Sequence, residues 1–218
     1  MFVGHFAVGF AAKAAAPKTN VAWFVTASVL ADLLFTLFLL VGIEHMRLSP
    51  GVSAVNPMDF YDYPWSHSLA MDCAWGAVFG GAFWAATRDL RASIVIALAV
   101  VSHWVLDAAS HIPDMPLAPS NAIKTGLGLW RSLPATLVVE SALWAAGLWL
   151  YARTTTPRDA IGRWSYWVFV VFLTALYAGN LFGPPPPDVR IVAWVNLSLI
   201  IALAWPAWFD AHRVVKHN

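Results

Sequence analysis

Apolar residues fall into seven stretches along the chain, at residues 2–16, 20–43, 66–87, 92–112, 134–152, 164–182 and 190–209. Most approach the ~20 residues a helix needs to cross a bilayer. The first is shorter and stops at Pro17, so it reads as a short or tilted span, or as a re-entrant half-helix. No basic stretch precedes it, as a signal peptide would require. The breaks are clear: Pro50, Gly51, Asn56 and Pro57 in one loop, Pro113, Pro116 and Pro119 in another. Gly183 followed by Pro184 to Pro187 predicts a stiff, extended connector.

Composition strengthens this pattern. The 218 residues are 60% hydrophobic and 11% charged, where a soluble domain carries about a quarter charged residues. These figures exclude an ordinary soluble enzyme and a disordered chain. The single cysteine, Cys73, excludes an internal disulfide and a multi-thiolate site, and reads as a small core residue. A net charge of +1 offers no footprint for nucleic acid. The expected fold is an all-α polytopic membrane bundle of six to seven transmembrane helices. It forms one domain over 1–218, with the chemistry in 1–152 and two packing spans in 153–218.

The Lys and Arg residues predict an orientation. Lys13, Lys18, Arg88, Arg91, Arg153, Arg158, Arg163, Arg213 and Lys216 fall on one side. Arg47, Lys124, Arg131 and Arg190 fall on the other. Positive-inside bias places the larger group, and the C-terminus, in the cytoplasm. The loops at 44–65 and 113–132 then face outwards.

Residues 164–187 and 191–209 contain no charged side chain and read as packing helices. The earlier stretches carry His5, Asp32, His67, Asp72, His103, Asp107, His111 and Glu140. Ionisable groups at membrane depth are costly, and each one is a functional candidate. Only Lys13, near a segment end, is basic, so four acids lack an internal partner. A buried carboxylate must be protonated, paired or bound to a cation. Imidazoles beside carboxylates point to a metal ion, and nitrogen and oxygen donors suit zinc, manganese or iron.

His103, Asp107 and His111, at i, i+4 and i+8, fall within about 80° of one another on one helix face. Pro113 ends that helix and leaves Asp114 just beyond it. Pro64 suits a helix start, with Ser66 or Ser68 capping free amides near His67. Asp72 lies about 140° around from His67 on a continuous helix, as a supporting group or a helix–helix partner. Glu140, more than a turn inside its span, is a general base, a ligand or a protonated structural carboxyl. Trp65, Trp104 and Trp130 adjoin these motifs. Glu44 and His45 lie in a loop and read as solvated.

The order of these motifs resembles the bacterial inner-membrane metal-dependent hydrolases of the YdjM-like family. The matching residues are Gly4-His5, Asp32, Ser66-His67-Ser68, and Ser102-His103 with Asp107, over roughly residues 1–120. His111, Asp114, Pro116-Leu117 and the run Gly126-Leu127-Gly128-Leu129-Trp130 resemble a subgroup of it. Ala31-Asp32-Leu33-Leu34 stands where the family has Pro-Asp-x-Asp. The order of ligands is also similar to that of zinc phospholipase C and its nuclease relatives.

The resemblance implies an inner-membrane hydrolase in which His5, Asp32, His67, His103 and Asp107 hold one or two divalent ions, zinc first among them. His111, Glu140 or Asp114 would act as base or orienting group. A lipid-like phosphoester, reached from the outer side, is the expected substrate. Two other readings stay open: a non-catalytic subunit of a larger complex or oligomer held together by metal, and an ion or proton carrier.

Overall fold

The computed structural model describes residues 1–120 and 123–216, and the chain is mostly helical. The first half comprises α1 (Val3–Ala15), α2 (Val21–Ser28), α3 (Leu30–Val41), β1 (His45–Leu48), β2 (Met58–Asp62), α4 (Pro64–His67), α5 (Leu69–Thr87) and α6 (Leu90–Ser110). Then come β3 (Met115–Pro116), β4 (Lys124–Thr125), a 3-10 turn (Leu129–Arg131), α7 (Leu133–Thr154), β5 (Thr155–Pro157), α8 (Ala160–Phe182), α9 (Val189–Ala202), α10 (Ala204–Ala211) and β6 (Arg213–Val215). Among the described residues the strands pair as β1–β2, β3–β4 and β5–β6, all antiparallel, at the ends of the bundle.

Five helices are long and apolar enough to cross a membrane: α5, α6, α7, α8, and α9 continuing through α10. A sixth candidate is α2 with α3, bent by 52°. The stretch at 2–16 behaves differently. At 13 residues, α1 is about 20 Å long, well short of a ~30 Å hydrocarbon core. It is enclosed instead, with Val3, Gly4, His5, Phe6, Ala7, Gly9, Phe10 and Lys13 all buried. Two glycines allow the close packing: a Cβ on Gly9 would meet Val25 Cα at 2.7 Å, and one on Gly147 would meet Ala7 Cα at 2.7 Å. Phe10 then sits in an aromatic cluster with Trp144, Tyr151, Tyr166, Phe169 and Phe209.

Two apolar stretches break where the site lies. Residues 66–87 do not form one helix. Ser68 is extended and its side chain accepts from Met71 N, so α5 starts afresh there. Residues 20–43 bend between Ser28 and Leu30, leaving carbonyls at the end of α2 without helical partners.

The loops at 44–65 and 113–132 meet at one end, where Ala54 N donates to Trp130 O (2.9 Å) and Lys124 Nζ to Tyr61 O (2.9 Å). At the other end β5 pairs with β6, and Lys13 forms an ion pair with Asp210 (2.7 Å). Cys73, expected in the core, is exposed on α5. That helix packs on α6 at Gly76 and Gly80.

Candidate metal centre

Six of the ionisable residues singled out from sequence converge between α1, α3, α4 and α6. Asp107 is the hub. Its Oδ1 faces the Met1 α-amino group, with which it forms an ion pair, and His5 Nε2 at 3.0 Å. Its Oδ2 faces His103 Nε2 at 3.2 Å, and His67 Nε2 and His111 Nε2 at 3.8 Å each. Asp32 Oδ1 lies 3.6 Å from His67 Nε2 and 3.8 Å from His103 Nε2. The two imidazole Nε2 atoms are 3.3 Å apart, and the His5 ring stacks on His103 at 3.7 Å.

Each arm has a local cause. The i, i+4, i+8 spacing on α6 brings His103, Asp107 and His111 to one face. The break after α2 frees the Ser28 carbonyl, which accepts from His103 Nδ1 at 2.9 Å. A carbonyl only accepts, so His103 carries its proton on Nδ1 and turns a bare Nε2 into the site. His111 Nδ1 lies 3.1 Å from Asp114 Oδ1, which also accepts from the Tyr63 hydroxyl at 3.2 Å. Burial, with Asp114 and Asp107 nearby, pushes the Tyr63 phenol well above its usual range and keeps it a donor. The glycine-rich run folds back on the end of α6. Leu127 N and Gly128 N donate to Ala108 O and His111 O, with Gly128 at φ +75°. Trp130 is thereby laid against the His111 ring, 4.1 Å between centroids.

Two overlapping groups, His5–His103–Asp107 and Asp32–His67–His103, hold ligand atoms within 4.8 Å of one another, and each is able to hold a metal ion. The spacing supports this. Five of the six pairs among His67 Nε2, His103 Nε2, Asp107 Oδ2 and Asp32 Oδ1, all but the two carboxylates with each other, are 3.2 to 3.8 Å apart. A tetrahedral ion with ligands at ~2.0–2.1 Å spaces them by about 3.4 Å. The buried His5 Nδ1 has no partner.

The other expected residues sit apart from this hub. Glu140 Oε2 accepts from Phe2 N (2.9 Å) and Gly4 N (3.4 Å), tying down the start of α1 and hence His5. Asp72 Oδ2 accepts from Trp104 N at 3.1 Å and joins α5 to α6. Trp65 is exposed and Trp104 donates to Pro116 O, so only Trp130 of the three reaches the site.

Glu44 corrects the sequence reading. It is 0% exposed, where solvation was expected. Its Oε1 accepts from Trp65 N (2.7 Å) and Ser66 N (2.8 Å), and its Oε2 meets Ser66 Oγ at 2.6 Å. Ser66 Oγ in turn lies 2.7 Å from His67 Nδ1. Burial pushes the Glu44 carboxyl up, against the pull of the Ser66 bonds. His45, by contrast, is exposed and pairs with Asp62 at 2.9 Å.

A cavity of about 710 Å³ opens onto the centre, reached by Asp32, His67, Asp107, His111 and Glu140. Leu33, Leu176, Tyr177, Val192 and Val195 form much of its wall, and Pro184 to Pro186 lie at its edge. Both late spans thus do more than pack. The Asp32 side chain is 47% exposed, whereas those of His67, His103 and Asp107 are at most 5% exposed. No protein-family model, curated protein or solved structure matches the chain.

Proposed function

We propose that this chain is a membrane-embedded, metal-dependent hydrolase of lipid-like phosphoesters, YdjM-like in its motifs and working from the outer side of a bacterial inner membrane. In this reading α1 is an enclosed half-span, six further segments cross, and the C-terminus is cytoplasmic. The observation that carries it is the half-exposed Asp32 carboxylate, facing a largely apolar cavity beside otherwise buried donors. A structural ion would have a closed set of four ligands. An ion path would string its acids through the bundle, yet Asp210 at the far end is already paired with Lys13.

His67, His103, Asp107 and Asp32 would hold the ion, with His5 beside Asp107. Zinc suits the nitrogen and oxygen donors, and manganese and iron take similar sets. A bound divalent ion lowers the pKa of water and polarises a phosphoryl oxygen. His111, held at Nδ1 by Asp114 and Tyr63, keeps Nε2 free to take a proton from water in the cavity. Glu140 fixes α1 and so the His5 ring. Among the described residues, no Lys or Arg lines the cavity. A singly charged phosphodiester therefore suits it better than a dianionic monoester.

The test uses purified protein in nanodiscs, stripped of metal and reloaded with zinc or manganese. Diacyl phosphodiester hydrolysis should depend on metal and fall at least a hundredfold in His111→Ala. Turnover that survives metal removal, or no turnover of any phosphoester after reloading, would overturn this reading.

A further inference from the structure

Glu44 is a buried carboxylate that neither the ligand set nor the proton acceptor uses. Its surroundings define which way protons point. Two backbone N–H groups aim at Oε1, and the Ser66 hydroxyl lies 2.6 Å from Oε2. With two N–H groups on Oε1 the carboxyl is held as an acceptor, and the Ser66 hydroxyl donates to Oε2. A hydroxyl has one proton. Towards His67 Nδ1, 2.7 Å away, Ser66 Oγ can therefore only accept. The imidazole proton then sits on Nδ1, and Nε2 presents its lone pair to His103 Nε2 (3.3 Å) and Asp32 Oδ1 (3.6 Å).

We propose that Glu44 is a positioning residue that acts through Ser66 to lock His67 in the Nδ1–H tautomer, and so makes it a metal ligand. This rests on the metal-centre reading above. The serine does for His67 what the Ser28 carbonyl does for His103 and Asp114 for His111, with one link more. Partners of ligand imidazoles of this kind change metal affinity by about 10–100-fold when removed.

Reversing the chain is more telling than cutting it. In Glu44→Gln the amide oxygen can still accept from Trp65 N and Ser66 N. Its NH₂ must face Ser66 Oγ as a donor, so the serine proton turns to His67 Nδ1 and the imidazole proton moves to Nε2, against the ion. Ser66→Ala only frees the ring. Zinc affinity of the stripped protein, read by chelator competition, should fall about tenfold in Ser66→Ala and further in Glu44→Gln. The double variant should match Ser66→Ala within about twofold, because nothing then transmits the reversal. In the metal-free protein, ¹⁵N shifts should place the His67 proton on Nδ1 in the wild type and on Nε2 in Glu44→Gln. Unchanged affinity in Glu44→Gln, equal losses from Glu44→Gln with and without Ser66, or an unmoved proton would overturn the proposal. Neither readout needs hydrolysis. A wild type that binds zinc but cleaves nothing would sink the hydrolase reading and leave this one standing. A wild type that binds no ion would sink the metal centre, and the ¹⁵N shifts would still report the tautomer lock.

Discussion

Helix α1 carries a buried ionisable group near each end, and the two ends differ in kind. At the far end, Lys13 Nζ lies 2.7 Å from Asp210 Oδ2 and 2.8 Å from Thr19 O. Asp210 also takes Val21 N at 2.9 Å and the Tyr151 hydroxyl at 2.6 Å. Charge is balanced, and each carboxylate oxygen has a donor. At the near end, four imidazoles and two carboxylates crowd together, and the Met1 ammonium pairs with Asp107 while Asp32 faces the imidazoles of His67 and His103. The first arrangement is complete in itself and holds α1, α2, α7 and α10 together. The second turns the donor atoms of His67, His103 and Asp32 towards one another, close enough together to take a metal ion. Each end has an ammonium–carboxylate pair, and what distinguishes them is the second carboxylate, Asp32, set among imidazoles.

The contrast can be broken most directly at Asp107. Asp107→Ala or His103→Ala should reduce bound transition metal more than tenfold, as read by elemental analysis of the purified protein. Lys13→Met, eight residues away from His5 on the same helix, should leave the metal content of the folded fraction unchanged. Loss of metal in Lys13→Met alone would mean that the two ends are one system.

Stability should show the opposite order. Lys13→Met strands the Asp210 carboxylate in the core, and breaking a buried pair in this way costs about 3–5 kcal/mol. Detergent or denaturant unfolding should register it, and Lys13→Met combined with Asp210→Leu should recover more than half. If the single variant unfolds like the wild type, the far end is not the clamp described here.

A third, smaller effect lies outside the apolar segments, at the start of α8. Asp159 caps Gly162 N and pairs with His212 at 2.7 Å, and these bonds hold its carboxyl below the ordinary aspartate value. A depressed folded value gives stability that is present above the unfolded value, near pH ~4, and is lost as pH falls through the folded one. Asp159→Asn should flatten that acid limb slightly and leave neutral pH unaffected. An acid limb unchanged by Asp159→Asn would assign it to other carboxylates.

Much of the centre was legible in the sequence because an apolar background exposes titratable residues. His5, Asp32, His67, His103, Asp107 and His111 stand out in this way, and helical spacing aligns three of them. Glu44 does not, because it lies in a loop 22 positions before Ser66, where an acid ordinarily faces water. The bend after Ser28 carries neither proline nor glycine, so only the His103 contact reveals its use. The first stretch was long enough to suggest a span, but hydropathy alone cannot tell a lipid-facing helix from one enclosed by protein. Lys13 looked like an end-of-segment charge because its partner lies 197 residues further on.

That separation has a consequence for the order of assembly. At ~5–20 residues per second, the ribosome needs on the order of 10–40 s after making Lys13 to supply Asp210. Until then the ammonium group has no carboxylate and no reason to leave water or the lipid headgroups. Helix α1 precedes the other helices in the sequence and is enclosed after them, and the His5 arm of the centre waits with it. In the metal-centre reading, capture of the ion is then a late event, after the other helices are in place.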